Sequence, residues 1–309
     1  MWGNQSLTTE FVLLGFQLSA ETEVLLFWVF SLLYTFSLLA NGMIFVLICL
    51  DQRLHTPMYY FLSHLAIIDM SYMSNNVPKM LANLVTQNRA ISFVPCITQT
   101  FLYLGLAATE CLILVAMSYD RYVAICHPLH YTVIMSWTLC SVLATVCWSC
   151  AFVLSLIHML LLLRLPFCRS RQVNHLFCEI LSVLKLACAD TWLNKLVLFA
   201  ASIFVLVGPL CLMLVSYIHI LWAILKIQSG EGRRKAFSTC SSHLCVVGLF
   251  FGIAMVVYMV PDSSQREEKE KLLSLFHSLF NPMLNPLIYS LRNAQVKDAL
   301  CRVLQVRSR

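Results

Sequence analysis

Charge is what this sequence has least of: 12% of its 309 residues are Asp, Glu, Lys or Arg, against about 25% in soluble domains. Hydrophobic residues make up 60%, where soluble domains hold roughly 45–50%. So few charges cannot cover a water-facing surface over that much apolar side chain, which excludes a soluble globular chain and leaves a bilayer as the solvent. The sequence also has no P-loop, no HExxH and no GxSxG. Nucleotide hydrolysis, zinc peptidase and serine hydrolase chemistry therefore lack their residues, and no enzymatic activity is expected. No internal repeat is visible, although many transporter folds are built from paired repeats. The first 23 residues lack the basic start and small-residue cleavage site of a signal peptide, so the first span is expected to direct its own insertion.

What is present is a series of apolar runs. Stretches free of Asp, Glu, Lys and Arg cover 24–50, 90–109, 122–163, 196–225, 236–261 and 272–291. Each reaches the ~20 residues a helix needs to cross the hydrocarbon. The 122–163 run opens with His127, Pro128 and His130, which read as a loop, so its helix is placed near 138–163. The 90–109 run continues past Glu110 to Tyr119, and a further helix at about 58–84 is apolar except for Asp69 and Lys79. That makes seven spans. Backbone cannot sit unpaired in lipid, and the runs lack the two-residue alternation of barrel strands. The expected fold is all-α, a seven-transmembrane helix bundle: an outer tail (1–23), the bundle (24–291) and a cytosolic tail (292–309).

Seven spans put the termini on opposite sides. The leading tail holds Glu10, Glu21 and Glu23, no Lys or Arg, and an Asn4-Gln5-Ser6 sequon that can be glycosylated only outside. With that end outside, 11 of the 21 basic residues face the cytosol, a count that decides nothing. The short 226–235 connection and the C-terminal tail carry four and five of them, and it is short loops that obey the positive-inside rule. Of 14 cysteines, only Cys96, Cys168, Cys178 and Cys188 fall in the outer regions. Four cysteines allow three pairings, and spacing does not choose among them.

Four stretches carry more information. "MSYDRYVAICHPLHY" (117–131) ends an apolar run in adjacent Asp120 and Arg121, which by themselves could be no more than a snorkelling pair. "LHTPMYYFLSHLAIID" (54–69), "KAFSTCSSHL" (235–244) and "NPMLNPLIYSLRN" (281–293) follow the same order as the predicted helices. Together these resemble the hallmarks of odorant receptors, within the rhodopsin-like G-protein-coupled receptors. An opsin is argued against, because 272–291 has no Lys for a retinal Schiff base.

The resemblance implies a plasma-membrane, multi-pass receptor for a small volatile odorant that activates a heterotrimeric G protein of the stimulatory, cAMP-raising type. No nucleic-acid partner is expected. Asp120, Arg121 and Tyr122, with Tyr217, His243, Asn285, Pro286 and Tyr289, match the coupling and activation positions. Arg121 would be held by Asp120 at rest, and Tyr217 and Tyr289 would supply hydroxyls to it on activation. Asp69 and Glu110 would meet mid-membrane, where an unpaired carboxylate costs at least ~2.5 kcal/mol. A hard cation such as Na⁺ suits that pair; so does one neutral acid hydrogen-bonded to the other. No other cofactor is expected.

The ligand set implied is Tyr103, Leu104, Ala107, Ala108 and Cys111 on the third helix and Ala201, Ser202 and Val205 on the fifth. The sixth adds Phe251, Ala254, Met255 and Tyr258, the seventh Leu275 and Ser278. Two positions depart from the family: Phe251 stands where Tyr is frequent, and Asn281 where Thr is. The resemblance also pairs Cys96 with Cys178 and Cys168 with Cys188, fixing the long loop as a lid. In the tail, Val296, Ala299/Leu300 and Val303/Leu304 recur at helical spacing among bases, an amphipathic surface helix with Cys301 as an acylation candidate.

Overall fold

The structure, a computed structural model, describes residues 10–86, 88–168, 171–226, 230–259, 266–290, 296 and 298–302, with side chains at all but 235, 236, 238, 239, 242, 243, 258, 259, 266–269, 289 and 290. Long helical rods dominate it: α1 (Ala20–Leu50), α2 (Pro57–Thr86), α3 (Phe93–Cys126), α4 (Trp137–Leu162), α5 (Trp192–Leu225), α6 (Gly230–Met259) and α7 (266–290). Two rods are interrupted by a π-helical turn, Ile203–Val207 in α5 and Phe276–Phe280 in α7.

The rods start where local chemistry permits. Ser19 Oγ accepts from the Thr22 amide, and Glu21 and Glu23 fill the first turn of α1. Acids favour the positive end of a helix, so the two charges that end the apolar run are its helix-start residues. Ser136 Oγ caps α4 in the same way through the Leu139 amide.

Four rods, α1, α3, α4 and α5, are long and apolar enough to cross a membrane. Their outer faces agree: Trp28, Leu32 and Leu39 on α1 and Phe204, Leu212 and Ile218 on α5 are each more than half exposed. A soluble monomer rarely tolerates such a belt, whereas acyl chains solvate it.

Rod α3 is central and packs on α2, α4 and α5. Its approach to α4 is set by Gly105, where an added Cβ would stand 3.0 Å from the Phe152 ring. In α7, Pro286 has no N–H, so the Pro282 carbonyl loses its helical partner. The buried Asn41 of α1 replaces it, donating from Nδ2 to the Pro282 oxygen at 2.9 Å.

One end of the bundle carries a small sheet that the sequence reading of an all-α bundle did not include. Strand β1 (Glu10–Leu13) lies between β2 (Ala90–Ser92), antiparallel to it, and β3 (Gln172–Val173), parallel to it. Phe11 sits opposite Ile91 and Val12 beside Gln172. Phe11 and Leu13 are buried with Val173, Cys178 and Ile180 in a separate apolar cluster. Four residues are too few to show a strand period; the strand exists because its partners come from two distant loops. Gly15 follows β1 at φ +64, a left-handed turn that glycine adopts freely. Arg89, beside β2, reaches Glu23 in the first turn of α1 at 2.6 Å.

At the opposite end, Val296 and residues 298–302 are helical, with Val296 and Ala299 buried against the main core and Cys301 exposed. The Arg302 guanidinium grips the Asp51 carboxylate at 2.6 Å, fastening this segment to the α1–α2 turn.

Candidate functional site

Rods α3 to α7 enclose a cavity in which the centre of a water-sized sphere has about 80 Å³ to move, several times the roughly 10–15 Å³ that one water needs. From α3 it is lined by Tyr103, Leu104, Ala107, Ala108 and Cys111, all five residues the sequence suggested. From α5 come Ala201, Ser202 and Val205, joined by Leu206.

The other walls differ from expectation. On α6 the lining residues are Phe250, Ile253, Ala254 and Val257; of the expected four, Ala254 lines the cavity, Phe251 and Met255 do not, and the Tyr258 side chain lies outside the described residues. On α7 Ser274 and His277 line it in place of Leu275 and Ser278. Both errors are a rotation of about one residue, or roughly 100°. The apolar stretch of α6 offers no polar face to fix its rotation. In α7 the π turn, with its wider hydrogen-bonded loop, shifts the register of the residues on its N-terminal side. The contribution of α4 was missed altogether: Ala151, Leu154, Ser155 and His158 line the cavity. Its signal was present, since Ala144, Cys147, Ala151, Ser155 and His158 form a buried stripe of small and polar residues at helical spacing, the kind that faces other helices in a membrane.

The polar groups of this wall fall into two kinds. Ser155 Oγ donates to the Phe101 carbonyl at 2.7 Å and Ser202 Oγ to Leu198 at 2.8 Å, so their protons are committed. His158 Nδ1, Ser274 Oγ and His277 Nδ1 are buried with no hydrogen-bond partner among the described residues, a state that costs about 1–3 kcal/mol per group. No lining residue carries a formal charge.

Below the cavity the two acids do come together. Asp69 and Glu110 are buried, and Asn285 Nδ2 donates to Asp69 at 2.9 Å and, more weakly, to Glu110 at 3.4 Å. Asn281, the unusual amide, donates to Glu110 at 2.8 Å. The side-chain oxygen of Asn285, turned away from the acids by these bonds, is buried without a partner among the described residues. Two buried carboxylates thus converge, oxygen donors of the kind a hard cation takes.

Further along α3, Asp120 is buried and accepts a hydrogen bond from the Tyr131 hydroxyl at 2.7 Å. It makes no ion pair with Arg121 among the described residues, which corrects the expected neighbour lock. Successive helical residues point about 100° apart, so adjacency in sequence separates the two side chains. Arg121 is half-buried, with Nε lacking a partner, and close enough to Tyr217 and Cys240 for its charge to act on both. Tyr122 lies 3.3 Å from His127 Nε2, Tyr217 is buried, and Pro286 is buried in α7. The side chains of His243 and Tyr289, and all of Asn4, lie outside the described residues.

Above the cavity, disulfides join Cys96 to Cys178 and Cys168 to Cys188. The Cys178 amide donates to Gln99 Oε1 at 2.8 Å. Next to it, Phe177 packs against the cavity-lining Tyr103, ring centroids 5.3 Å apart, so the lid and the cavity wall are in contact.

The family model described as olfactory receptor matches residues 30–307. The chain is 74% identical to human olfactory receptor 2A2 over 99% of its length and 96% of the relative's. It is 70% identical to human olfactory receptor 2A5, covering 98% of both chains, and 63% identical to mouse olfactory receptor 2A7, covering 99% of this chain and 98% of that one. An apolar, lidded cavity in a helical bundle, four hallmark stretches and matches over nearly the whole length converge on one assignment: the chain belongs to the olfactory receptor family of G-protein-coupled receptors.

Proposed function

We propose that this odorant receptor sits in the plasma membrane with all seven rods spanning, residues 1–23 outside and 292–309 in the cytosol. It binds a small, largely apolar volatile molecule in the α3–α7 cavity and activates a heterotrimeric G protein of the stimulatory, cAMP-raising type. As a member of this family it is not an enzyme; its output is a change of shape. The observation that carries the reading is the apolar cavity between the rods at one end of α3 with Asp120 and Arg121 at the other. Ala107 and Arg121 are 14 residues apart, about 21 Å along a helix. A ligand in the cavity cannot touch the coupling residues, so it must act by preferring one arrangement of the rods.

Filling the cavity tests this. Ala108→Phe, compared with the parent chain at equal surface density, should abolish the cAMP response to a panel of volatiles. Undiminished responses would place the odorant elsewhere.

The carboxylate oxygens of Asp69 and Glu110 would hold one Na⁺ between α2 and α3, neutralising charge that the buried site otherwise confines. Agonist-driven cAMP formation in isolated membranes should then differ between sodium and an organic cation at equal ionic strength, and Glu110→Gln should remove the difference. Superimposable curves in the two salts would leave a shared proton as the reading of this pair.

A further inference from the structure

The cavity is apolar over most of its surface, yet it is not indifferent to polarity. His158 and His277 are each 6% exposed and Ser274 1% exposed, and all three line the same space. Each holds a polar atom that finds no partner among the described residues. They stand on different walls: α4 packs on α3, α2 and α5, whereas α7 packs on α1, α2 and α6. The imidazole of His277 is further held in place by ring contacts with Phe250 and Tyr72 at 4.6 and 5.5 Å.

The chemistry of these groups limits what can satisfy them. A neutral imidazole has one donor and one acceptor nitrogen, and a serine hydroxyl does both. Ser155 and Ser202, with their protons committed, add only lone pairs. Alcohols, aldehydes, ketones and esters can therefore pair with this wall. A hydrocarbon leaves its buried polar atoms as they are. An ionised acid or amine would be desolvated with no opposite charge among the lining residues.

Resting on the odorant-cavity reading above, we infer that His158 on one wall and Ser274 with His277 on the other make this receptor selective for neutral, oxygen-bearing molecules with an apolar body. The apolar lining supplies affinity, and these three residues supply the discrimination.

The experiment uses the full-length receptor in cells and five compounds sharing one hydrocarbon skeleton: the alkane, alcohol, ketone, carboxylate and primary amine. Dose–response is read as cAMP, normalised to surface receptor. The alcohol or ketone should activate at least about ten-fold more potently than the alkane, with the two ionised compounds weaker still. His158→Leu and Ser274→Ala should each erode that ratio by roughly ten-fold, weakening the alcohol and ketone more than the alkane, and His158→Gln, which keeps a hydrogen-bonding group, should restore much of it. A variant that only loosened the fold would weaken every compound alike. Equal potency of alkane and alcohol, with Ala108→Phe silencing both, would overturn this inference and keep the cavity as the odorant site. An alcohol response that survived Ala108→Phe would overturn the cavity reading itself.

Discussion

Cells carrying Arg121→Ala at the parent's surface density should show no odorant-driven rise in cAMP, although the receptor still reaches the membrane and still holds its ligand. The guanidinium is near enough to Tyr217 of α5 and Cys240 of α6 for its charge to act on both, with Nε unpaired among the described residues, far from the cavity on the same rod. On the proposed coupling, its contribution belongs to the complex with the G protein. The structure adds a second residue to this prediction. Asp120 is restrained by the Tyr131 hydroxyl at 2.7 Å rather than by its neighbour. A hydrogen bond to a charged group contributes about 1.5–3 kcal/mol, so Tyr131→Phe and Asp120→Asn should both raise ligand-independent cAMP, by roughly ten-fold where the bond exists only in the resting state. Arg121→Ala that signals normally would reduce the pair to an interfacial anchor. Parent-level basal output from Tyr131→Phe, beside a raised output from Asp120→Asn, would return the restraint to Arg121.

The second large effect is expected at the lid. The Cys96–Cys178 bond joins residues 82 apart in sequence, and closing a loop of that length is worth about 4.5 kcal/mol in the chain-entropy account. It also holds Phe177 against Tyr103 and places the Cys178 amide on Gln99. Cys178→Ser should therefore bring surface receptor, and with it any odorant response, down to background. Cys168→Ser opens a span of only 20 residues, worth about 3 kcal/mol, and should reduce expression less severely. Cys49→Ser should be nearly silent, because that thiol is free and exposed at the end of α1. Non-reducing peptide maps showing a free Cys96 would refute the pairing.

How much of this was legible depends on what kind of signal each feature leaves. The long rods follow from charge-free runs, because a membrane segment is written in every one of its residues. Ala107, Ala108 and Cys111 were placed by counting along an uninterrupted α-helix from Arg121. The residues expected on α7 were one position off, because the π turn at Phe276–Phe280 breaks the period, and so were those on α6, whose apolar stretch does not say which way it faces. His158 and Ser155 were overlooked because single polar residues in a membrane helix look like exceptions until a neighbour shows that they share a face. Strand β1 was not legible at all, since nothing within Glu10–Leu13 announces partners 80 and 160 residues away.

That strand has a consequence for biosynthesis. β1 precedes every rod, β2 follows α2, and β3 follows α4. While the chain is being made, Phe11, Val12 and Leu13 have their first partner once two rods have been delivered, but the second arrives about 160 residues after β1. Since β3 follows β2 by about 80 residues, at about 5–20 residues per second the half-paired interval is on the order of four to sixteen seconds. For that interval a half-paired apolar hairpin with one open edge is available to chaperones, to lectins drawn by any glycan on the preceding tail, or to other unfinished chains. Completion of the sheet withdraws that edge, which requires that the first four rods have been made and brought together.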